Sequence, residues 1–115
     1  MEKVDHFFAS KIKFLGEQDG VPERKLKARL ADLFSSISSV TRAYLVRIDY
    51  GGPEEFNVAL CIRIEAELFD DIDMKINKVF ADIFRTDEHL DILLLTENRE
   101  IALSKVCRPF YQKPA

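Results

Sequence analysis

Two alternating runs of apolar residues around a glycine-rich turn constrain the fold of this 115-residue chain more than any other feature. In residues 40–50 and again in residues 56–65, apolar side chains recur at even positions. The turn between them contains Gly51, Gly52 and Pro53. A period of two places successive side chains on opposite faces of a strand. The pattern therefore predicts an antiparallel hairpin.

The remaining segments predict two more strands and three helices. Residues 11–17 alternate and indicate a first strand, whereas residues 23–37 and 68–84 have the three- and four-residue spacing of amphipathic helices. Residues 90–95 indicate a short strand, and residues 96–106 a last helix. This order predicts an α+β, ferredoxin-like βαββαβ fold. Its antiparallel four-stranded sheet would carry two helices on one face, followed by a short C-terminal helix and a tail.

Length and composition predict one domain over residues 1–115, with a core at about 10–111. Apolar residues make up 47% and charged residues 32%, which is typical of a compact chain.

A net charge of −3 disfavours nucleic-acid binding. No apolar run approaches the roughly 20 residues of a membrane span, and the charged start does not resemble a signal peptide. With only two cysteines, we expect a cytoplasmic protein.

The second face of the predicted sheet determines the functional hypothesis, because two helices on one side leave the other side open. If even positions of the hairpin face the helices, the odd positions face outward. Their apolar centre and charged margin are typical of an interaction surface. We predict that this face binds another protein or a second copy of the chain. The candidate interface residues are Leu45, Arg47, Ala59, Cys61, Arg63 and Leu93.

The alternative is that the chain's own ends cover this face. His6, Phe7 and Phe8 could do so from the N-terminal segment. Phe110 and Tyr111 could do so from the tail. Because each ring carries a large apolar area, we expect Phe110 and Tyr111 to pack back onto the domain.

The sequence contains little catalytic or metal-binding chemistry. His6, His89, Cys61 and Cys107 do not fall at ligand spacing, so we expect no metal site and no cofactor. The acidic residues within 65–73 suit the start of a helix, where negative charge is favoured. No phosphate loop, nucleophile elbow or dinucleotide fingerprint is present. We therefore predict a protein that is not an enzyme.

Other proteins with a ferredoxin-like topology provide further comparisons. RNA-recognition modules place aromatics on the open face, whereas Phe56 falls in the helix-facing set. Acylphosphatases need an arginine in the loop after the first strand, and residues 16–22 contain none. Amino-acid-sensing domains often bind their ligand near that loop. A small-ligand sensor is therefore the alternative function, although a plain Gly/Pro turn explains the same residues.

Three motifs resemble those of a known bacterial family. They are a strand leading into Pro22 and a helix with leucines at 26, 30 and 33, the run Val-Thr-Arg-Ala-Tyr-Leu at 40–45, and the closing Arg-Pro-Phe-Tyr at 108–111. Together they resemble the C-terminal domain of the SseB (enhanced serine sensitivity) family over nearly all of residues 10–111. Typical members carry a second, N-terminal domain, which we do not expect in these 115 residues.

The resemblance implies a bacterial cytoplasmic protein of poorly defined biochemistry, linked to serine sensitivity, with no catalytic residues to carry over. From the sequence as a whole we expect a non-enzymatic binding or assembly module that self-associates or docks through its sheet face. A small-molecule ligand, such as an amino acid, is the alternative. We expect no nucleic-acid and no membrane partner.

Overall fold

The computed structural model describes residues 13–37, 39–49, 57–64, 70–84 and 90–114, with the backbone alone for 57, 70 and 71. The strands are β1 (Lys13–Glu17), β2 (Val40–Asp49), β3 (Asn57–Ile64), β4 (Asp91–Leu94) and β5 (Tyr111–Gln112). The helices are α1 (Val21–Phe34), α2 (Asp70–Ile83) and α3 (Glu97–Leu103). The predicted α+β class is confirmed. The turn at 50–56, His6, Phe7, Phe8 and His89 lie outside the described residues.

The sheet is mixed, and its strand order is β1-β2-β3-β4. β2 is antiparallel to both β1 and β3, which confirms the hairpin, while β3 and β4 are parallel. β5 adds to the β1 edge of β2. The prediction of an antiparallel ferredoxin-like sheet was therefore wrong. α2 carries the chain back so that β4 runs parallel to β3, and alternation specifies strands without specifying their neighbours.

The first face of the sheet carries α1 and α2. Leu26, Leu30 and Phe34 of α1 are buried there, together with Ile72 and Ile76 of α2. The spacing of three and four residues places each set on one side of its helix. Strand residues buried on this face include Val40, Ala43, Leu45, Leu60 and Ile62.

The second face is covered by α3 and by the segment that follows it. Its buried strand residues are Tyr44, Val46, Ile48, Ala59, Cys61 and Leu93. Leu103 of α3 and Cys107 pack on this set, and Phe14 joins from β1. The prediction of an open face was therefore wrong, since the last helix closes it.

From Ala43 to Ile48, the two faces of β2 are the reverse of those predicted, whereas Val40 faces the helices as predicted. Leu45 lies on the first face, whereas Tyr44 and Val46 lie on the second. The cause is an irregularity between Val40 and Arg42, where the β2–β3 register shifts and the alternation changes phase. Apolar residues occupy both faces, so the pattern did not mark which face met the helices. β3 has no such shift, and its even positions face α1 and α2 as predicted.

The tail is attached to the free part of the β2 edge. The Phe110 N–H donates to the Ala43 carbonyl at 2.9 Å, and the Lys113 N–H donates to the Thr41 carbonyl at 2.8 Å. β1 pairs with the same strand further along, between Val46 and Asp49. β1 and β5 therefore lie end to end beside β2. In the described part of the chain, no helix has the length and apolar character to cross a membrane.

Candidate functional site

The site is centred on Glu100, a carboxylate on the inner side of α3. Thr96 caps this helix, and its side chain accepts a hydrogen bond from the Arg99 N–H at 3.2 Å. Glu100 follows one turn later and is only 8% exposed. Leu103, three positions further on, is fully buried on the second face. A buried carboxylate is costly unless donors surround it.

Four donor contacts from β2 and β3 satisfy this carboxylate. Arg42 donates through Nε to Oε2 and through Nη2 to Oε1, the latter at 2.9 Å. The Tyr44 hydroxyl donates to Oε2 at 2.7 Å, and Arg63 Nη1 donates to Oε1 at 3.0 Å. Each oxygen therefore accepts two hydrogen bonds. A carboxylate offers about four lone-pair positions, so these four hydrogen bonds occupy the whole acceptor capacity of Glu100.

The two arginines are direct neighbours across the β2–β3 pair. Arg42 and Arg63 are register partners, and both side chains lie on the second face with Glu100. Like charges directly opposite each other destabilise a sheet. The Glu100 carboxylate between the two guanidinium groups relieves this repulsion. The side chains of Arg42, Arg63 and Glu100 together still carry one net positive charge.

The cluster strongly shifts the protonation of its members. Hydrogen bonds from Arg42 lower the pKa of Glu100 to about 2, although burial opposes the shift. Burial, followed by the hydrogen bond to Glu100, raises the pKa of Tyr44 to about 12. The hydrogen bonds to Glu100 also raise the pKa of Arg42. At neutral pH, Glu100 is therefore ionised and Tyr44 is protonated.

A cavity of about 280 Å³ lies beside the arginine pair. The side chains of Arg42 and Arg63 are 36% and 30% exposed, compared with 11% for Glu100. The carboxylate therefore lies deeper than the guanidinium groups that it holds. The described lining residues are Thr41, Arg42, Arg63, Gln112, Lys113 and Pro114. We call this cavity the arginine pocket.

The predicted interface residues do not form one surface. Ala59, Cys61 and Leu93 are buried beneath the α3 segment, and Leu45 is buried on the opposite face. Arg47 is half-buried near Gly16, where a Cβ atom would come within 3.1 Å of Arg47 Nη2. Of the six, only Arg63 belongs to the arginine pocket. The predicted set therefore loses its basis as a docking face.

The aromatic tail residues lie against α1. The ring centroids of Phe34 are 6.5 Å from Phe110 and 5.8 Å from Tyr111. The Tyr111 hydroxyl donates to the Phe34 carbonyl at 3.2 Å. These contacts hold the tail segment that lines the arginine pocket.

Sequence reasoning missed Arg42 and Glu100. Glu100 is preceded by a cap at Thr96 and followed by the buried Leu103, so its place on the inner side of a short helix was a readable signal. Its partners could not be identified from a local sequence pattern, because Arg42 lies 58 positions away and Arg63 lies 37 positions away. Only the strand order brings them together.

Both cysteines are free and buried on the second face. Burial raises the pKa of Cys61 to about 12 and the pKa of Cys107 to about 11. Over the described ranges, no group of three or more His, Cys, Asp or Glu residues could hold a metal ion. The cysteines therefore act as small apolar residues in this packing.

These features define a small α+β domain whose last helix closes a mixed sheet over a paired-arginine site. The family model described as "SseB protein C-terminal domain" matches residues 15–113. The chain therefore belongs to this family, as the sequence motifs predicted. Comparison with curated proteins and with solved structures gave no match in either case.

Proposed function

We propose that this domain is a non-enzymatic binding module that takes small carboxylate-bearing molecules, amino acids among them, in the arginine pocket. The observation that carries the proposal is the fixed pair of guanidinium groups at this cavity. Arg42 and Arg63 lie side by side and are held by Glu100. Arginine is well suited to binding carboxylates because its planar fork can donate two parallel hydrogen bonds.

The contacts to Glu100 use only part of the donor capacity of the two arginines. Two nitrogens of Arg42 and one nitrogen of Arg63 bind the carboxylate. Each guanidinium group carries five N–H donors. The exposed edges of both groups can therefore donate to a ligand while Glu100 keeps them in place. Such preorganisation reduces the ordering cost of binding.

The protonation of the cluster supports binding rather than acid–base chemistry. A general acid or base works best when its pKa is close to the operating pH. The pKa of Glu100 is about 2 and that of Tyr44 about 12, both far from neutrality. These groups therefore suit a fixed scaffold for charge recognition.

The proposal replaces docking through the sheet face, since α3 and the following segment cover that face. It retains the small-ligand alternative at a different place. The described pocket lining does not include residues 16–22, the loop expected to bind an amino acid. That loop lies further along β2, where the Gln18 N–H donates to the Leu45 carbonyl at 3.1 Å.

Titration of the ¹⁵N-labelled protein with amino acids, followed by NMR, tests the proposal. Serine is the first ligand to try because of the serine sensitivity linked to the family. We expect saturable shifts at Thr41 and Gln112, and we expect serinamide, which lacks the carboxylate, to produce none. Arg63→Gln should weaken binding and so reduce the shifts at a given serine concentration. Arg29→Gln, which removes an exposed guanidinium paired with Asp82 on the helical side, should leave them unchanged.

The absence of saturable shifts with every amino acid tested would overturn the proposal. Equal shifts with serine and serinamide would also overturn it, because they would show that the ligand carboxylate does not contribute to binding.

A further inference from the structure

We infer that the arginine pocket selects its ligand by negative charge and makes no favourable contact with a ligand ammonium group. The preferred ligands are therefore small net anions, carboxylates or phosphates, rather than zwitterionic amino acids. The inference rests on the proposed function, because it concerns ligand choice at the same pocket.

The hydrogen-bonding capacity of Glu100 is already filled. Among the described residues, Glu100 is the acidic side chain that forms ion pairs with both arginines, and so it would be the natural partner for a ligand ammonium group. Its two oxygens already accept four hydrogen bonds from Arg42, Tyr44 and Arg63. A carboxylate has about four acceptor positions, so a ligand N–H would have to displace one of these donors.

The described lining of the arginine pocket contains uncharged acceptors. Among the described lining residues, Thr41 and Gln112 have side-chain oxygens that could accept a hydrogen bond, and both are neutral. Thr41 Oγ1 donates its own proton to the Arg63 carbonyl at 3.1 Å. An ammonium group here would meet neutral acceptors while lying close to two guanidinium groups. Like charges at such separations repel.

Arg42, Arg63 and Glu100 together carry a net positive charge. Two guanidinium groups face one carboxylate, so one positive charge remains uncompensated among these three residues. A net anion satisfies this charge, whereas a zwitterion brings a positive charge of its own. Because Arg42 and Arg63 are register partners, one oxyanion can contact both guanidinium groups.

Serine and N-acetylserine form a matched test, since they differ in the ammonium group and share the carboxylate and hydroxyl. We expect N-acetylserine to bind about threefold tighter or more, which corresponds to removing one exposed like-charge contact. Inorganic phosphate should compete with N-acetylserine for the same pocket. Added salt should weaken N-acetylserine more than serine, because net charge is screened.

Variants separate charge recognition from a loss of structure. Arg63→Gln should weaken all three ligands, while Arg63→Lys should keep the preference for N-acetylserine at lower affinity, because charge is retained and the fork is lost. Circular dichroism shows whether each variant is folded.

The outcomes distinguish the inference from the proposed function. Serine binding that falls tenfold on N-acetylation would overturn the inference and leave the proposed function standing. Failure of phosphate to compete would overturn the inference as well. No saturable binding by serine, N-acetylserine or phosphate would overturn both.

Discussion

Arg42 of β2 and Glu100 of α3 form an ion pair through two arginine nitrogens, although 58 positions separate them in the chain. The pair joins the last helix to the second strand of the sheet. The glutamate side chain is buried, and the arginine side chain is about one-third exposed. The stability of the closed second face therefore depends on a charged contact as well as on apolar packing.

Replacing the carboxylate should strongly destabilise the domain. Glu100→Ala leaves two neighbouring guanidinium groups and a tyrosine hydroxyl without their acceptor, so we expect a loss of about 2–4 kcal/mol. Glu97→Ala, in the exposed first turn of the same helix, is the matched control and should cost about 0.5 kcal/mol or less. Urea unfolding measures both. Equal losses would contradict the structural role assigned to Glu100.

Acid should destabilise the domain through the same group. The pKa of Glu100 is lowered from its ordinary value of 4.5 to about 2 in the folded protein. The unfolded chain therefore binds a proton more readily, and this stabilisation is complete above pH 4.5 and lost as the pH falls towards 2. Urea midpoints across this range should fall less steeply for Glu100→Gln. Identical slopes for the two proteins would rule out this linkage.

Shortening the chain after Cys107 should lower the melting temperature. The deletion removes the pairing of β5 with β2 and the contacts of Phe110 and Tyr111 with Phe34. The milder Tyr111→Phe removes the hydrogen bond to the Phe34 carbonyl and should cost about 0.5–1.5 kcal/mol. Lys105→Ala, an exposed change just before the tail, is the control. An unchanged melting temperature for the shortened chain would contradict the packing of the tail.

The two thiols should resist modification in the folded protein. Cys61 and Cys107 are buried, and burial raises their pKa values to about 12 and about 11, so little thiolate is present near neutral pH. A thiol-reactive dye should label them quickly only after unfolding. Ser104→Cys, at an exposed position of the same segment, should add one site that reacts at once. Comparable rates for native and unfolded wild-type protein would disprove the prediction.

Periodicity predicted the elements well, since a strand and an amphipathic helix each produce a local pattern. The hairpin of β2 and β3 and the shared face of α1 and α2 followed from such patterns. The strand order did not follow, because it depends on where α2 returns the chain. The phase of β2 also failed, since the irregularity between Val40 and Arg42 leaves no distinctive residue in the sequence.

Local patterns could not predict the candidate site, because its residues are far apart in the chain. Arg63 appeared among the predicted surface residues, but as a charged rim for an apolar interface. Its actual partner is Glu100, 37 positions further on, which reaches it only because α3 covers the sheet. Long-range charge pairing of this kind requires the tertiary arrangement before it can be recognised.

The end-to-end placement of β1 and β5 beside β2 has a kinetic consequence. From β2 to β4, each strand lies next to the strand before it in the chain, so the sheet can assemble in order through comparatively local loop closures. The tail is the exception, since Tyr111 reaches Phe34 across 77 positions. The amide protons of residues 110–113 should therefore gain protection late during refolding and exchange with solvent before those of β3.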